Sequence, residues 1–466
     1  MYISLKRDEW LGNSRNDLFA GLVSSIAVLP EVVGFAIVAG VNPVTALLAS
    51  TIMLLVITFF GGRPAMVTAA AGSMALVVAP LIQQYGIEYM IASTLLTGIF
   101  QLVLGFLGVH RLMRFIPKTV MLGFVNALAI LIFMSQVTQL PGQTIKSYIM
   151  VAITVLMMFI LPKFIKVLPP ALIAIVIMTV YSYISPTGFQ TIGDLGDLAS
   201  TSLSFSLPSV PLSIETLKII TPTAAALTMV GLVETLLTIP IVDKMAGGTG
   251  DSQQEVKAQG LANILTGFVG GAAGCAMIGQ AVINCKSGGR KRLSTLVSAL
   301  SLLLLLFVFR DVMLQIPTAV LIGIMMVVAY DTFDWGSLSL FHPKYIAEAF
   351  ILIVTTAAIV VTSNLAVGII IGVILSAILL VIEISHIKVE LENHTYYVKS
   401  PVFFASTTSF LHYFQNIAEH TPKGEKVTID FSESVVVGLS ASEALEEIKQ
   451  AFIDHGIEME MRNLIK

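Results

Sequence analysis

Charge is scarce in this sequence. Asp, Glu, Lys and Arg supply 12% of its 466 residues, about half the roughly 25% usual in a soluble domain. Cysteine is scarcer still. The 2 present, Cys275 and Cys285, exclude a disulfide scaffold. A formal net charge of −3 leaves no basic surplus, so no nucleic-acid partner is expected. The 7 histidines are scattered, and neither a metal-ligand spacing, a Ser/His/Asp arrangement nor a nucleotide motif can be read. Nothing points to an enzyme or to a bound cofactor. Apolar side chains take the place of charge: 56% of residues are hydrophobic and the mean hydropathy is +0.90. A soluble core cannot absorb that excess, because a surface must also be covered; a lipid bilayer can.

A bilayer core takes roughly 20 apolar residues per helix. Long apolar spans fall near 18–39, 43–60, 88–108, 116–138, 147–161, 169–184, 217–241, 256–270, 293–309, 316–331, 346–363 and 365–386. Two shorter pieces, near 66–84 and 272–285, are rich in Gly, Ala and Ser and bring the number to fourteen. The N-terminus does not read as a cleavable signal, since the first apolar run is itself long enough to span. With that terminus in the cytoplasm, 16 Lys and Arg of the membrane part fall on the cytoplasmic side, Lys6, Arg63, Lys166 and Arg290 among them. Only Lys146, Lys218 and Arg310 fall on the other, and the tail holds the remaining 7 of 26. So strong a bias supports cytoplasmic termini, an even number of segments and insertion in the inner (plasma) membrane.

Two stretches recur about 200 residues apart. Ile116-Pro117-Lys118-Thr119-Val120-Met121-Leu122-Gly123 resembles Ile316-Pro317-Thr318-Ala319-Val320-Leu321-Ile322-Gly323, and Ala70-Ala71-Gly72-Ser73 resembles Ala272-Ala273-Gly274-Cys275. The chain thus divides into a first repeat over about 17–185 and a second over about 217–386, joined by the loop 186–216. Seven segments per repeat is an odd number, so the second inserts upside down. Such inverted repeats place a binding site near the midplane, at discontinuous helices. The small-residue segments are the candidates: Ala71, Gly72 and Ser73 in one, Gly274, Cys275 and Ala276 in the other. They read two ways. Small residues permit close helix packing. They also let backbone approach a ligand, and an extended segment running into a half-helix aims free N–H groups and a positive dipole end at an anion.

Two acids lie within spans. Glu31 follows Pro30 in the first and either caps a break there or lines an entrance; Glu234 lies in the eighth. A carboxylate at that depth is usually functional or paired. Thr238, four residues on, shares the face of Glu234. Together with backbone carbonyls they can hold Na⁺ as a coupling ion; alternatively Glu234 carries a proton, or it only bonds a neighbouring helix. Asp243 and Lys244 read as a cytoplasmic pair. The Lys286-Ser287-Gly288-Gly289-Arg290-Lys291-Arg292 run reads as a basic loop, because the Gly-Lys-Ser/Thr ending of a phosphate loop is missing.

After His386 the composition turns mixed. A strand pair is predicted over 389–398, a helix over 405–420, a strand over 426–431, a helix over 440–455 with Ser440 as its cap, and a last strand over 457–461. Residues 387–466 are therefore expected to form a small α/β cytoplasmic domain.

Several motifs together resemble the sulfate permease (SulP) family of anion transporters: Leu29-Pro30-Glu31 with Ala39-Gly40-Val41, Glu234, Gly260-Leu261-Ala262-Asn263-Ile264, and the run from Gly270 through Asn284-Cys285-Lys286-Ser287-Gly288-Gly289-Arg290. The tail resembles that family's STAS domain, shortened and without an Asp-Ser-Thr-Gly-like loop where Val437-Gly438-Leu439-Ser440 falls. The resemblance implies an α-helical polytopic membrane protein of seven-plus-seven inverted repeats with core and gate domains, an elevator movement and a homodimer. It implies a small inorganic anion as substrate, bicarbonate or sulfate foremost. It places the anion between the third and tenth helices, at Ala71, Gly72 and Ser73 and at Ala276, Met277 and Ile278. It also matches Glu234 and Thr238 to positions that bind Na⁺ in bicarbonate carriers. Gln280 stands where many members have an Arg, which leaves less positive charge at the site. An anion channel, a membrane sensor signalling through the tail, and a nucleobase permease on the same fold are the alternatives.

Overall fold

The structure is a computed structural model that describes residues 7–165, 169–185, 188–195, 208–211, 213–308, 310–392 and 394–464. Lys6 and Lys166 of the charge pattern, and 186–187, 196–207 and 212 of the loop between the repeats, lie outside the described residues. By backbone packing the chain divides into two compact units, residues 1–372 and 373–466.

The first repeat runs through α1 (Ser14–Ala39), α2 (Pro43–Phe60), α3 (Gly72–Tyr85), α4 (Ile87–Leu107), α5 (Lys118–Val137), α6 (Ile145–Phe164) and α7 (Pro170–Ile184). The second runs through α8 (Ile214–Ala246), α9 (Ser252–Phe268), α10 (Ile278–Lys286), α11 (Arg292–Val308), α12 (Thr318–Thr332), α13 (Ile346–Thr362) and α14 (Leu365–Ile384). All fourteen expected segments are present, with ends moved by a few residues. Among the described residues, 8 helices are long and apolar enough to cross a bilayer alone. The rest depend on their neighbours. Helix α9 buries Gln254, Glu255, Gln259 and Asn263, which only partners inside a bundle can satisfy. Helix α1 continues through Pro30 without a break, so Glu31 caps nothing.

Helices α1–α4 pack with α8–α11, and α5–α7 pack with α12 and α13; α14 joins the second group through Gly368 and Gly372, which meet Thr355, Ile359 and Val120. These are the core and gate groups of an inverted-repeat transporter fold. The inversion shows in matched contacts. A Cβ added at Gly123 of α5 would stand 2.9 Å from Thr355 Cβ and 3.0 Å from the Leu352 carbonyl of α13. One added at Gly323 of α12 would stand 2.9 Å from Thr154 Cβ and 3.0 Å from the Val151 carbonyl of α6. Glycine is required at both because backbone meets backbone there, and Pro117 and Pro317 both precede the first residue of their helices.

One end of the core group is tied by buried cations. Arg63 pairs with Asp243 at 2.8 Å and donates to the carbonyls of Val242 and Gly247. Asp243 therefore pairs with Arg63 rather than with its neighbour Lys244. The basic loop is not wholly solvated: Arg292 is buried, bonded to Glu9 and to the carbonyls of Thr58 and Gly61.

The second unit holds a four-stranded sheet, β3 (Val389–Glu392), β4 (Thr395–Val398), β5 (Lys426–Asp430) and β6 (Glu458–Arg462), in the order β3-β4-β5-β6. The first pair is antiparallel and the other two are parallel. Helices α15 (Thr407–His420) and α16 (Leu439–Asp454) supply Phe410, Phe414 and Phe452 to its core beside Ile429 and Phe431. Helix α16 begins one residue before Ser440. Its cap is Gly438 at φ 88, a left-handed value that glycine adopts without a Cβ clash.

Candidate functional site

Two short strands cross in the middle of the core group. Strand β1 (Thr68–Ala69) pairs antiparallel with β2 (Cys275–Ala276), Thr68 opposite Ala276 and Ala69 opposite Cys275. A Cβ at Gly274 would strike the Ala69 carbonyl and Met53 Sδ, so the crossing demands glycine. Each strand then turns into a half-helix. Ala71 precedes α3 and Met277 precedes α10, both in extended conformation and both without a side-chain acceptor. By contrast Asn42, Thr144, Ser213 and Asp251 cap α2, α6, α8 and α9 with side-chain oxygens. The first intrahelical bonds are Ala75 N–H to Ala71 and Ala281 N–H to Met277, each 3.0 Å. The N–H groups of Gly72, Ser73 and Met74, and of Ile278, Gly279 and Gln280, precede those bonds and have no intrahelical acceptor. Two positive helix ends thus begin at one crossing, which suits an anion.

Glu234 of α8 joins the two segments. Its Oε2 accepts the Ser73 hydroxyl at 2.8 Å and the Cys275 thiol at 2.6 Å. The Thr238 hydroxyl is directed elsewhere and donates to the backbone carbonyl of Glu234 at 2.7 Å. Thr235 Oγ1 accepts the Ala276 N–H at 3.2 Å. Among the described residues no group of three or more His, Cys, Asp or Glu side chains converges as a metal site. The groups here that could hold Na⁺ are the Glu234 carboxylate and nearby hydroxyl and carbonyl oxygens.

Asn263 holds the Gly274 peptide from both sides. Its Oδ1 accepts the Gly274 N–H at 2.9 Å, and its Nδ2 donates to the Gly274 carbonyl at 3.1 Å and to Gln101 Oε1 at 2.7 Å. Gln259 donates to the same carbonyl at 2.8 Å. On α1, Phe35 places Cε1 2.5 Å from where a Gly72 Cβ would lie. One turn earlier the Glu31 carboxyl lies beside Gln280 and within the field of Asp331. The Gln280 side chain is buried. Gly279 opens on empty space, with no atom within 4 Å of an added Cβ. Between core and gate groups a separate cleft of about 480 Å³ is lined by Gln83, Ser135, Thr138, Gln139, Gln143 and Gln190 among others.

The structure thus brings Ala71, Gly72, Ser73, Gly274, Cys275, Ala276, Met277, Ile278 and Gln280 to one crossing with Glu234. One expectation needs correcting. The pairing of 70–73 with 272–275 is out of register, because Cys275 lies in a strand opposite Ala69 while Ser73 lies in the first turn of α3. The small-residue alphabet made the wrong alignment look in phase. Phe35, Gln101 and Thr235 were not anticipated. Gln101 carried a signal, as an amide inside an apolar run; Phe35 carried none.

A sequence model of the sulfate permease family matches residues 15–151 and 143–355. The chain is 42% identical over 465 residues to the “Putative sulfate transporter YbaR” of Bacillus subtilis, spanning 99% of this chain and 96% of that protein. It is 28% identical over 411 residues to the “Bicarbonate transporter BicA” of Picosynechococcus, spanning 81% and 72%. Among solved structures, the transmembrane domain of a cyanobacterium bicarbonate transporter BicA matches with TM-score 0.69 and 26% identity over 78% of this chain and 97% of that one. Murine Slc26a9, an anion transporter in its inward-facing state, matches with TM-score 0.81 over 99% and 87%. At 18% identity that is a likeness of fold alone.

Proposed function

The chain belongs to the sulfate permease family, and on that premise we propose that it is a secondary active transporter of small inorganic anions, bicarbonate or sulfate foremost. The observation that carries the reading is the convergence of two uncapped half-helices on one crossing, with Glu234 bonded to both segments. The anion binds at the free N–H groups of Gly72–Met74 and Ile278–Gln280. The core group carries it past the gate group in an elevator movement. Glu234 couples transport to H⁺ or Na⁺: a proton or cation at its carboxylate offsets the charge of the anion and changes its bonds to Ser73 and Cys275. With Na⁺, Thr238 supplies a further oxygen. Inverted-repeat carriers commonly combine an anion at half-helix ends with a cation nearby.

The protein works as a homodimer in the plasma membrane with both termini in the cytoplasm, and residues 387–466 act as a STAS-like domain. The family resemblance and the distribution of Lys and Arg support these points.

The test is uptake by proteoliposomes of labelled sulfate, bicarbonate and chloride, with Na⁺ and pH gradients varied separately. Saturable uptake driven by one cation gradient is expected. Non-saturating currents that follow voltage alone would make the protein a channel, and uptake of uracil or xanthine instead would make it a nucleobase permease.

A further inference from the structure

A buried donor without an acceptor stands behind the crossing. Gln101 of α4 is fully buried, and among the described residues its Nε2 has no hydrogen-bond partner. The two ends of a side-chain amide are alike in shape but opposite in chemistry, and here backbone decides which end faces where. The Gly274 N–H donates to Asn263 Oδ1 at 2.9 Å, so the other end of that amide is Nδ2. Nδ2 donates to Gln101 Oε1 at 2.7 Å, which turns Gln101 Nε2 away from Asn263. The free N–H ends 2.9 Å from where a Cβ on Gly231 of α8 would lie, a point that Met74 and Cys275 also border. Glu234 follows Gly231 by three residues on α8, and a helical side chain leans back over the turn before it. Glycine leaves that turn uncovered. Buried donors are nearly always matched, because an unmatched one is destabilising. This one faces the ground over which the Glu234 carboxylate can turn.

We infer that Gln101 is a positioning residue for Glu234, its Nε2 taking up the carboxylate when an anion draws the Ser73 hydroxyl away. The inference rests on the anion-transport reading and adds an exchange of donors to it. A hydroxyl has one proton to donate, and Ser73 directs it to Glu234. Ser73 also lies in the first turn of α3, where the proposed anion presents further acceptor oxygens. Once the anion accepts that hydrogen bond, Glu234 keeps the Cys275 thiol, a weak donor. The Gln101 amide restores the second bond and keeps a buried carboxylate paired. With Ser73 on Glu234, by contrast, Gln101 goes unmatched. Gln101 therefore lowers stability in one arrangement and raises anion affinity in the other.

Gln101→Met and Gln101→Leu remove the donor at similar volume. In proteoliposomes of the full chain, counterflow of labelled sulfate and, separately, of labelled bicarbonate gives KM and Vmax. Melting in detergent without added anion gives stability. For the anion that is carried, both variants are expected to raise KM about tenfold with Vmax within about twofold, at a melting midpoint no lower than the wild type's. Loss of a merely structural amide would lower that midpoint. In Glu234→Gln the added effect of Gln101→Met on KM should shrink to about threefold or less, since a neutral acceptor holds the amide less strongly. An unchanged KM, a KM raised only together with a lowered midpoint, variants that no longer fold, or the full effect retained in Glu234→Gln would each overturn the inference. A wild type that carries anion while the variants match it refutes the exchange alone; one that carries none refutes the transport reading as well.

Discussion

Ser73, in the first turn of α3, donates its hydroxyl to the Glu234 carboxylate of α8 at 2.8 Å, across 161 residues of sequence. The same oxygen receives the Cys275 thiol. A change in the charge of Glu234 is thereby felt at both ends of the site. Glu234→Gln should abolish gradient-driven uptake, while counterflow of anion between equal pools persists. Full cation-driven uptake by that variant would remove Glu234 from coupling.

Thr238 separates Na⁺ from H⁺ as the proposed coupling ion. Its hydroxyl already donates to the Glu234 carbonyl, so only its lone pairs are free for a cation. Thr238→Val should raise the Na⁺ concentration for half-maximal uptake by about tenfold or more if Na⁺ is the ion, the loss of one ligand being worth about 1–3 kcal/mol. If H⁺ is the ion, the pH profile of uptake should stay in place.

Asn263 organises the crossing without lying at either helix end. Asn263→Ala leaves the N–H and carbonyl of Gly274 without this partner and should cost about 1–3 kcal/mol. A lowered thermal midpoint in detergent, together with a raised KM, would be the signature. A variant with an unchanged midpoint would show that Gln259 alone suffices.

The glycines make opposite predictions. Gly123→Val drives a side chain into Thr355 and the Leu352 carbonyl and should destabilise by about 1–3 kcal/mol. Gly279→Ala meets nothing within 4 Å and should leave the melting midpoint in place while altering anion affinity. Comparing melting and uptake for the two separates packing from binding.

In the C-terminal sheet, Arg462 and then Lys426 hold the Glu460 carboxyl down to about 2 from its ordinary 4.5. A depressed carboxylate favours the folded state above its unfolded value, and that contribution is lost as pH falls from about 4.5 towards 2. Glu460→Gln should flatten the acid loss of hydrogen-exchange protection at β5 and β6 within that window. An identical acid limb in both proteins would count against the pairing.

How much of this was legible beforehand follows from the physics of each feature. Lipid demands long apolar helices with satisfied backbones, so hydropathy marked the twelve long spans and their approximate ends, while residue type added the two short Gly/Ala/Ser-rich segments and matching motifs gave the repeat at Pro117 and Pro317. Local pattern likewise determined the strand and helix order of the tail, apart from the cap at Gly438, where backbone conformation outweighed the hydroxyl of Ser440. Glu234 stood out because an acid in an apolar run is costly. Its partners did not, since Ser73 and Cys275 reach it only when two strands cross and two half-helices begin beside α8. The register of that crossing, the placement of Phe35 over Gly72 and of Glu31 beside Gln280, and the pairing of Arg63 with Asp243 were decided by tertiary structure. They depend on backbones meeting at contact distance between segments up to about 200 residues apart, and small residues, which permit that approach, carry almost no pattern of their own.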